Sequence, residues 1–183
     1  MSALPKKGTI MKLYQVVALR VIPLVLALFI SACNDTNTAK ETVTATAAKS
    51  NLQFLEVYKN PSCGCCKKWM SHIEKHGFEA SSHNLNNLPT FKSEKGIQPQ
   101  YQSCHTAVSQ DGYVFEGHIP AKYIHQFLKE KPEGALGLTV PAMPVGSPGM
   151  EVGDKFMPYQ VFLLKIDGSV ETYAEVNSQE EQY

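Results

Sequence analysis

Three cysteines fall within four positions, Cys63, Cys65 and Cys66 in the stretch NPSCGCCKKW (60–69). Cys63 and Cys66 have C-x-x-C spacing. At a helix start, unpaired backbone N–H groups and the helix dipole favour thiolate, and two such sulfurs can close into a reversible disulfide. A third thiol beside such a pair invites mispairing, and a bond between adjacent Cys65 and Cys66 would strain the chain. Three thiolates at one corner make better sense as ligands for a soft ion such as Cu(I), Zn(II) or the iron of an iron–sulfur cluster. Cys104 is the candidate fourth sulfur. Its other readings are a buried small hydrophobe or a partner in a structural disulfide. Four cysteines in the folded part also fit two disulfides.

Other soft or borderline donors stand nearby in sequence. His105 follows Cys104, and imidazole is the commonest metal ligand, though a strand-edge histidine is also ordinary. His118 lies beyond the far end of the same predicted hairpin and ranks below His105 as a ligand. Met143 and Met150 lie in a loop of prolines and glycines, where thioether suits Cu(I) but also serves as a gap-filler. His72, His76, His83 and His125 read as surface residues without partners.

These residues need elements to position them. QFLEVY (53–58) reads as a buried strand ending at Asn60 and Pro61. Residues 67–76 carry Trp69, Met70 and Ile73 on one side and stop at Gly77, which predicts a helix, and 78–84 return as a parallel strand. A short helix follows Asn87 and Pro89 to about Lys95. Residues 105–118 predict a hairpin turning at Asp111 and Gly112. Pro120 opens an amphipathic helix with Tyr123, Ile124, Phe127 and Leu128 as its core stripe. Residues 131–158 read as a long Pro, Gly and Met-rich loop, and 159–173 as a second hairpin turning at Asp167 and Gly168.

The fold class is therefore α/β. The element order resembles the thioredoxin-like fold, a central mixed sheet flanked by helices, here with an added loop and a C-terminal β-hairpin. In thioredoxin-like proteins the turn entering the central hairpin, usually marked by a cis-proline, lies against the C-x-x-C corner. Ser103-Cys104-His105-Thr106 occupies that slot in this sequence. That resemblance places Cys104 and His105 opposite the three thiols.

The N-terminus bears on the compartment. Lys6, Lys7, Lys12 and Arg20 precede the apolar run VIPLVLALFI (21–30), followed by Ser31, Ala32 and Cys33. This order predicts an export signal whose apolar part is short for a membrane span. ISAC (30–33) resembles the bacterial lipobox, with Cys33 as the lipidated new N-terminus and Asn34 favouring the outer membrane; Met11 is an alternative start. Residues 34–50 lack periodic apolar residues and read as a flexible tether reaching about 20 to 25 Å. The expected organisation is a signal over 1–33, a tether over 34–50, one domain over 51–175 and a polar tail over 176–183. Formal charge is balanced and no basic block lies outside the signal, which argues against a nucleic-acid partner.

The chain also resembles the CopG-type periplasmic copper-resistance proteins, often catalogued as a domain of unknown function. The resemblance rests on VYKNPSCGCCKKW (57–69), HIEKHGF (72–78), SCHTAV (103–108), DGYVFEGHIP (111–120) and VPAMPVGSPGME (140–151), in that order. It implies that Cys63, Cys65, Cys66 and Cys104 hold copper as Cu(I), in a multinuclear thiolate-bridged cluster or a simpler site. His105, His118, Met143 and Met150 fall within the shared blocks. The implied partners are copper ions, a periplasmic copper donor or acceptor or an electron-transfer protein, and the membrane through the lipid anchor alone.

Two other readings stay open. A thiol-disulfide oxidoreductase would use Cys63 and Cys66, and Tyr58-Lys59-Asn60-Pro61 with Lys67-Lys68 also resembles the start of arsenate-reductase-like proteins. Those are typically cytosolic and lack the SCH and Met-loop blocks. A disulfide-stapled structural lipoprotein is the third reading.

Overall fold

The computed structural model describes residues 52–183; the export segment, Cys33 and the tether lie outside the described residues. No helix among the described residues is long and apolar enough to cross a membrane.

Seven strands form one mixed sheet. β1 (Gln53–Lys59) alternates buried Leu55, Val57 and Lys59 with partly exposed neighbours, the period of a strand with one face turned to the core. The chain leaves β1 into α1 (Gly64–Lys75) and returns as β2 (Phe78–Asn84), parallel to β1. A helix is the usual way to join adjacent parallel strands. α1 starts earlier than the sequence predicts, because Cys63 acts as its N-cap: the Cys63 Sγ accepts the Cys66 backbone N–H at 3.3 Å. Cys65 and Cys66 therefore lie in the first helical turn.

After β2 come α2 (Leu88–Glu94) and a short 3-10 turn over Pro99–Tyr101. β3 (His105–Ser109) then pairs antiparallel with β1, and β4 (Val114–Glu116) antiparallel with β3. α3 (Ala121–Glu130) follows, burying Tyr123, Ile124, Phe127 and Leu128 as its apolar stripe requires. The main core lies between the sheet and α1 and α3, built from Leu55, Val57, Trp69, Phe115, Phe127 and Leu138 among others. A smaller cluster of Ile97, Val114 and Leu164 forms separately.

The expected loop over 131–158 is only partly a loop. Residues Ala135–Thr139 form a further strand, β5, parallel to β4, and this strand joins the C-terminal hairpin to the sheet. Gly137 makes the pairing feasible, since a Cβ there would fall 1.7 Å from the Val114 carbonyl oxygen. The hairpin itself is β6 (Tyr159–Lys165) and β7 (Val170–Val176), and the sheet order is β2-β1-β3-β4-β5-β6-β7. The last residues pack back rather than trail. Gln182 is buried, accepting from the Tyr159 hydroxyl at 2.6 Å and donating to the Gly146 carbonyl at 2.9 Å.

The four histidines expected on the surface without partners all have one. His76 Nδ1 meets the His72 carbonyl at 2.6 Å, His125 Nε2 the His76 carbonyl at 2.6 Å, and His83 pairs with Glu56. His72 is also buried, under α3, where its Nε2 accepts the Ala121 backbone N–H at 3.1 Å. The start of α3 covers a position that the helical pattern of α1 alone leaves on the rim. Burial, helped by the nearby His76 and Lys75, lowers the His72 pKa to about 4. Its neutral form belongs to the fold, so the stability it supports is complete above pH 6.5 and is lost as pH falls through about 4. Urea unfolding across pH 7 to 4 should show the parent losing on the order of 3 kcal/mol more than His72→Gln over that window. Parallel pH profiles for the two proteins would contradict this assignment.

Candidate metal centre

The antiparallel ladders bring the site together. Lys59, the last residue of β1, pairs with His105, the first of β3, so the chain segments at 60–63 and 104 leave the sheet side by side. Thr106 pairs with Glu116, and extending that register by two residues sets Cys104 opposite His118. One residue thus faces the start of α1 on one side and the end of β4 on the other.

The sulfur distances follow from this placement. Cys104 Sγ lies 3.6 Å from Cys66 Sγ and 3.9 Å from Cys65 Sγ, and Cys65 Sγ lies 3.5 Å from Cys63 Sγ. Two thiolates sharing one tetrahedral ion at about 2.3 Å each stand about 3.8 Å apart, so these spacings fit a common ion. Cys63 and Cys66 are joined as a disulfide, leaving Cys65 and Cys104 as thiols. Opening that bond takes two electrons and two protons and frees all four sulfurs as ligands.

A second donor group shares Cys104. His118 Nε2 lies 2.9 Å and His105 Nδ1 3.3 Å from Cys104 Sγ. Cys63, Cys65, Cys66 and Cys104 make one cluster, and Cys104, His105 and His118 another, the donor atoms of each lying within 4.8 Å of one another. The His118 Nδ1–H donates to the Pro148 carbonyl at 2.7 Å, which fixes the tautomer and turns the Nε2 lone pair toward Cys104. Such a backbone acceptor behind the ring is the usual support of a metal-ligating histidine.

His105 is buried against Trp69, ring centroids 4.3 Å apart, and its Nε2 has no hydrogen-bond partner. Trp69 is held in turn by its own bond to the Ile119 carbonyl at 2.9 Å. Burial holds His105 neutral, its pKa far below the usual histidine value, with His118 and Lys92 pushing the same way. Burial also lowers His118, opposed by the Pro148 carbonyl. Burial and the neighbouring Cys65 push the Cys104 thiol up to about 12. With no cation present Cys104 is a thiol; a bound metal ion would deprotonate it.

The loop after β5 forms the remaining wall. Pro148 supplies the acceptor for His118, and Gly149 fits where a Cβ would fall 2.7 Å from Trp69 N and 2.8 Å from Cys65 O. Met150 follows, half-buried, while Met143 is exposed on the same loop. Neither methionine is needed to complete the two donor groups. Of the predicted site residues, the structure gathers Cys63, Cys65, Cys66, Cys104, His105 and His118. His118 lies nearer to Cys104 Sγ than His105 does. The supports missed from sequence are Pro148, Gly149 and the buried pair Lys92–Glu116. A glutamate inside the central strand VFE was the one available signal.

A cysteine and histidine cluster that could hold a soft metal ion, at the corner of a mixed α/β sheet, defines the class. A family model described as "Protein of unknown function, DUF411" matches residues 101–150. Two solved structures match. One is titled "Copper resistance protein copG- Form 2", at 39% identity and TM-score 0.65, covering 69% of this chain and 99% of that one. The other is titled "Copper resistance protein copG- Form 1", at 39% identity and TM-score 0.64, covering 68% and 98%. No curated protein matches the chain. The chain belongs to the CopG-type copper-resistance family.

Gly149→Ala tests the wall. The added methyl should displace the loop, cost about 1 to 3 kcal/mol in urea unfolding and remove the His118 Nδ1–H signal from proton NMR. An unchanged unfolding curve with the signal retained would show that the loop does not depend on this contact.

Proposed function

We propose that this protein is a copper-binding protein of copper resistance that holds Cu(I) through Cys63, Cys65, Cys66 and Cys104. The observation that carries this reading is that Cys104 Sγ belongs to both donor groups. A sulfur shared in this way can bridge two ions, one among the cysteines and one toward His118 and His105, which makes a multinuclear cluster the favoured form. Soft thiolates select Cu(I) over harder divalent ions, and the two related structures are named as copper resistance proteins.

Bound copper would supply a one-electron Cu(I)/Cu(II) couple. The chain's own residues divide the remaining work. Cys63 and Cys66 take up two electrons and two protons as their bond opens and release them as it closes, so metal occupancy is linked to redox state. His118, oriented by Pro148, offers a neutral donor. Met143 and Met150, on the loop after β5, are weaker thioether candidates.

The first four strands, ordered β2-β1-β3-β4 with β3 antiparallel to its neighbours, support the thioredoxin-like reading of the domain. The order of charged, apolar and small residues over 1–33 supports export and lipidation at Cys33, which would tether the domain at the periplasmic face of a bacterial membrane, the outer one given Asn34. A periplasmic copper donor or acceptor, or an electron-transfer protein, would then be the exchange partner.

A second reading is favoured by one observation, the Cys63–Cys66 disulfide at the start of α1. It makes the protein a thiol-disulfide oxidoreductase. Metal analysis of anaerobically purified full-length protein separates the two. The copper reading predicts that Cys104→Ser loses about half or more of the bound copper, because it removes the sulfur common to both donor groups, and that Cys65→Ser loses a smaller but measurable share, because it removes one ligand of the first group. Parental stoichiometry in both variants, with rapid insulin reduction by the metal-free protein, would favour the oxidoreductase.

A further inference from the structure

Glu116 and Lys92 are buried beside the centre, yet neither belongs to the donor groups. Glu116 ends β4 and is fully shielded from solvent; Lys92 reaches it from α2 as an ion pair. Burying such a pair gains little stability, since two apolar side chains of similar volume commonly do as well or better. The pair therefore needs another reason. Its hydrogen bonds supply one.

Glu116 Oε1 accepts the Ser103 backbone N–H at 2.6 Å, and Oε2 accepts the Thr106 hydroxyl at 2.5 Å. These two bonds fall on either side of Cys104 and His105. Lys92 Nζ donates to Thr106 Oγ1 at 3.1 Å as well as to the carboxylate, and the His105 carbonyl accepts the Gly117 N–H at 2.9 Å. One carboxylate thus closes a clamp around the dipeptide, and apolar replacements could fill the space without closing it.

We propose that Glu116 is a positioning residue that fixes the Cys104–His105 dipeptide against the Cys63–Cys66 corner, with Lys92 as its neutralising partner. The inference rests on the reading of Cys104 as a metal ligand for its purpose, but the clamp itself acts on the turn with or without metal. The pair carries no net charge, so it holds the turn without adding charge beside a cluster that must balance several thiolates against bound cations.

The test compares full-length parent protein with Lys92→Met/Glu116→Leu and Lys92→Met/Glu116→Gln. Glutamine retains a carbonyl oxygen for the Ser103 N–H; leucine does not. In metal-free, unreduced protein the alkylation rate of Cys104 by iodoacetamide, followed by peptide mass, should rise about tenfold in the Met/Leu form and return to within about threefold of the parent in the Met/Gln form. Cu(I) affinity, read by chelator competition on reduced protein, should fall and recover in parallel, while urea unfolding of the Met/Leu form stays close to the parent's. Should Met/Leu fail to fold, Thr106→Val removes one of the two anchoring bonds and should raise the alkylation rate about threefold. Cys104 alkylation as slow in the folded variants as in the parent would overturn the clamp. A parent that binds no Cu(I) would instead overturn the copper reading, and the alkylation rates alone would then decide the clamp.

Discussion

The antiparallel pairing of β3 with β1 and β4 is the constraint on which the site depends. β3 begins where β1 ends and where β4 ends, so whatever precedes β3 must meet both the start of α1 and the residues after β4. Cys104 holds that position. A slip of one residue in either ladder would turn the β3 side chains to the opposite faces of the sheet and carry Cys104 away from the other sulfurs. Turn 103–106 is accordingly tied down from several directions, by Glu116, by the Gly117 N–H and by the bond between Ser103 Oγ and the Ala142 carbonyl.

Around this ladder the chain builds a half-buried corner. α1 supplies three cysteines in its cap and first turn, and Trp69 one turn later walls off His105 from below. The loop after β5 closes the side facing His118, and the buried Gln182 pins that loop from the C-terminus through the Gly146 carbonyl. Site groups are thus fixed by backbone hydrogen bonds and packing.

Much of this was legible in the sequence because it is local. β1, α1, β2, α3 and both hairpins announce themselves by alternation, helical stripes and the Asp-Gly turns, while the place of Ser103-Cys104-His105-Thr106 beside the thiols is what the resemblance to thioredoxin-like proteins implies. What stayed hidden depends on contacts distant in sequence. β5 is short, contains Gly137 and sits among prolines and glycines, and only its pairing with β4 across α3 makes it a strand. His118 comes beside Cys104 through ladder register: a hairpin turning near Asp111 sets the two opposite each other, a count available from the sequence alone. His72 is covered by the start of α3, which no pattern within α1 reveals. Lys92 and Glu116 lie 24 positions apart, and only the packing of α2 beside β4 makes them a pair.

The central claim is that sulfur, converging through Cys104, defines the metal environment. X-ray absorption at the copper edge of full-length protein loaded anaerobically with Cu(I) tests it most directly. The account predicts a coordination shell dominated by sulfur, with copper–copper scattering, and the loss of that scattering in Cys104→Ser. A shell of nitrogen and oxygen alone, unchanged by Cys104→Ser, would contradict it.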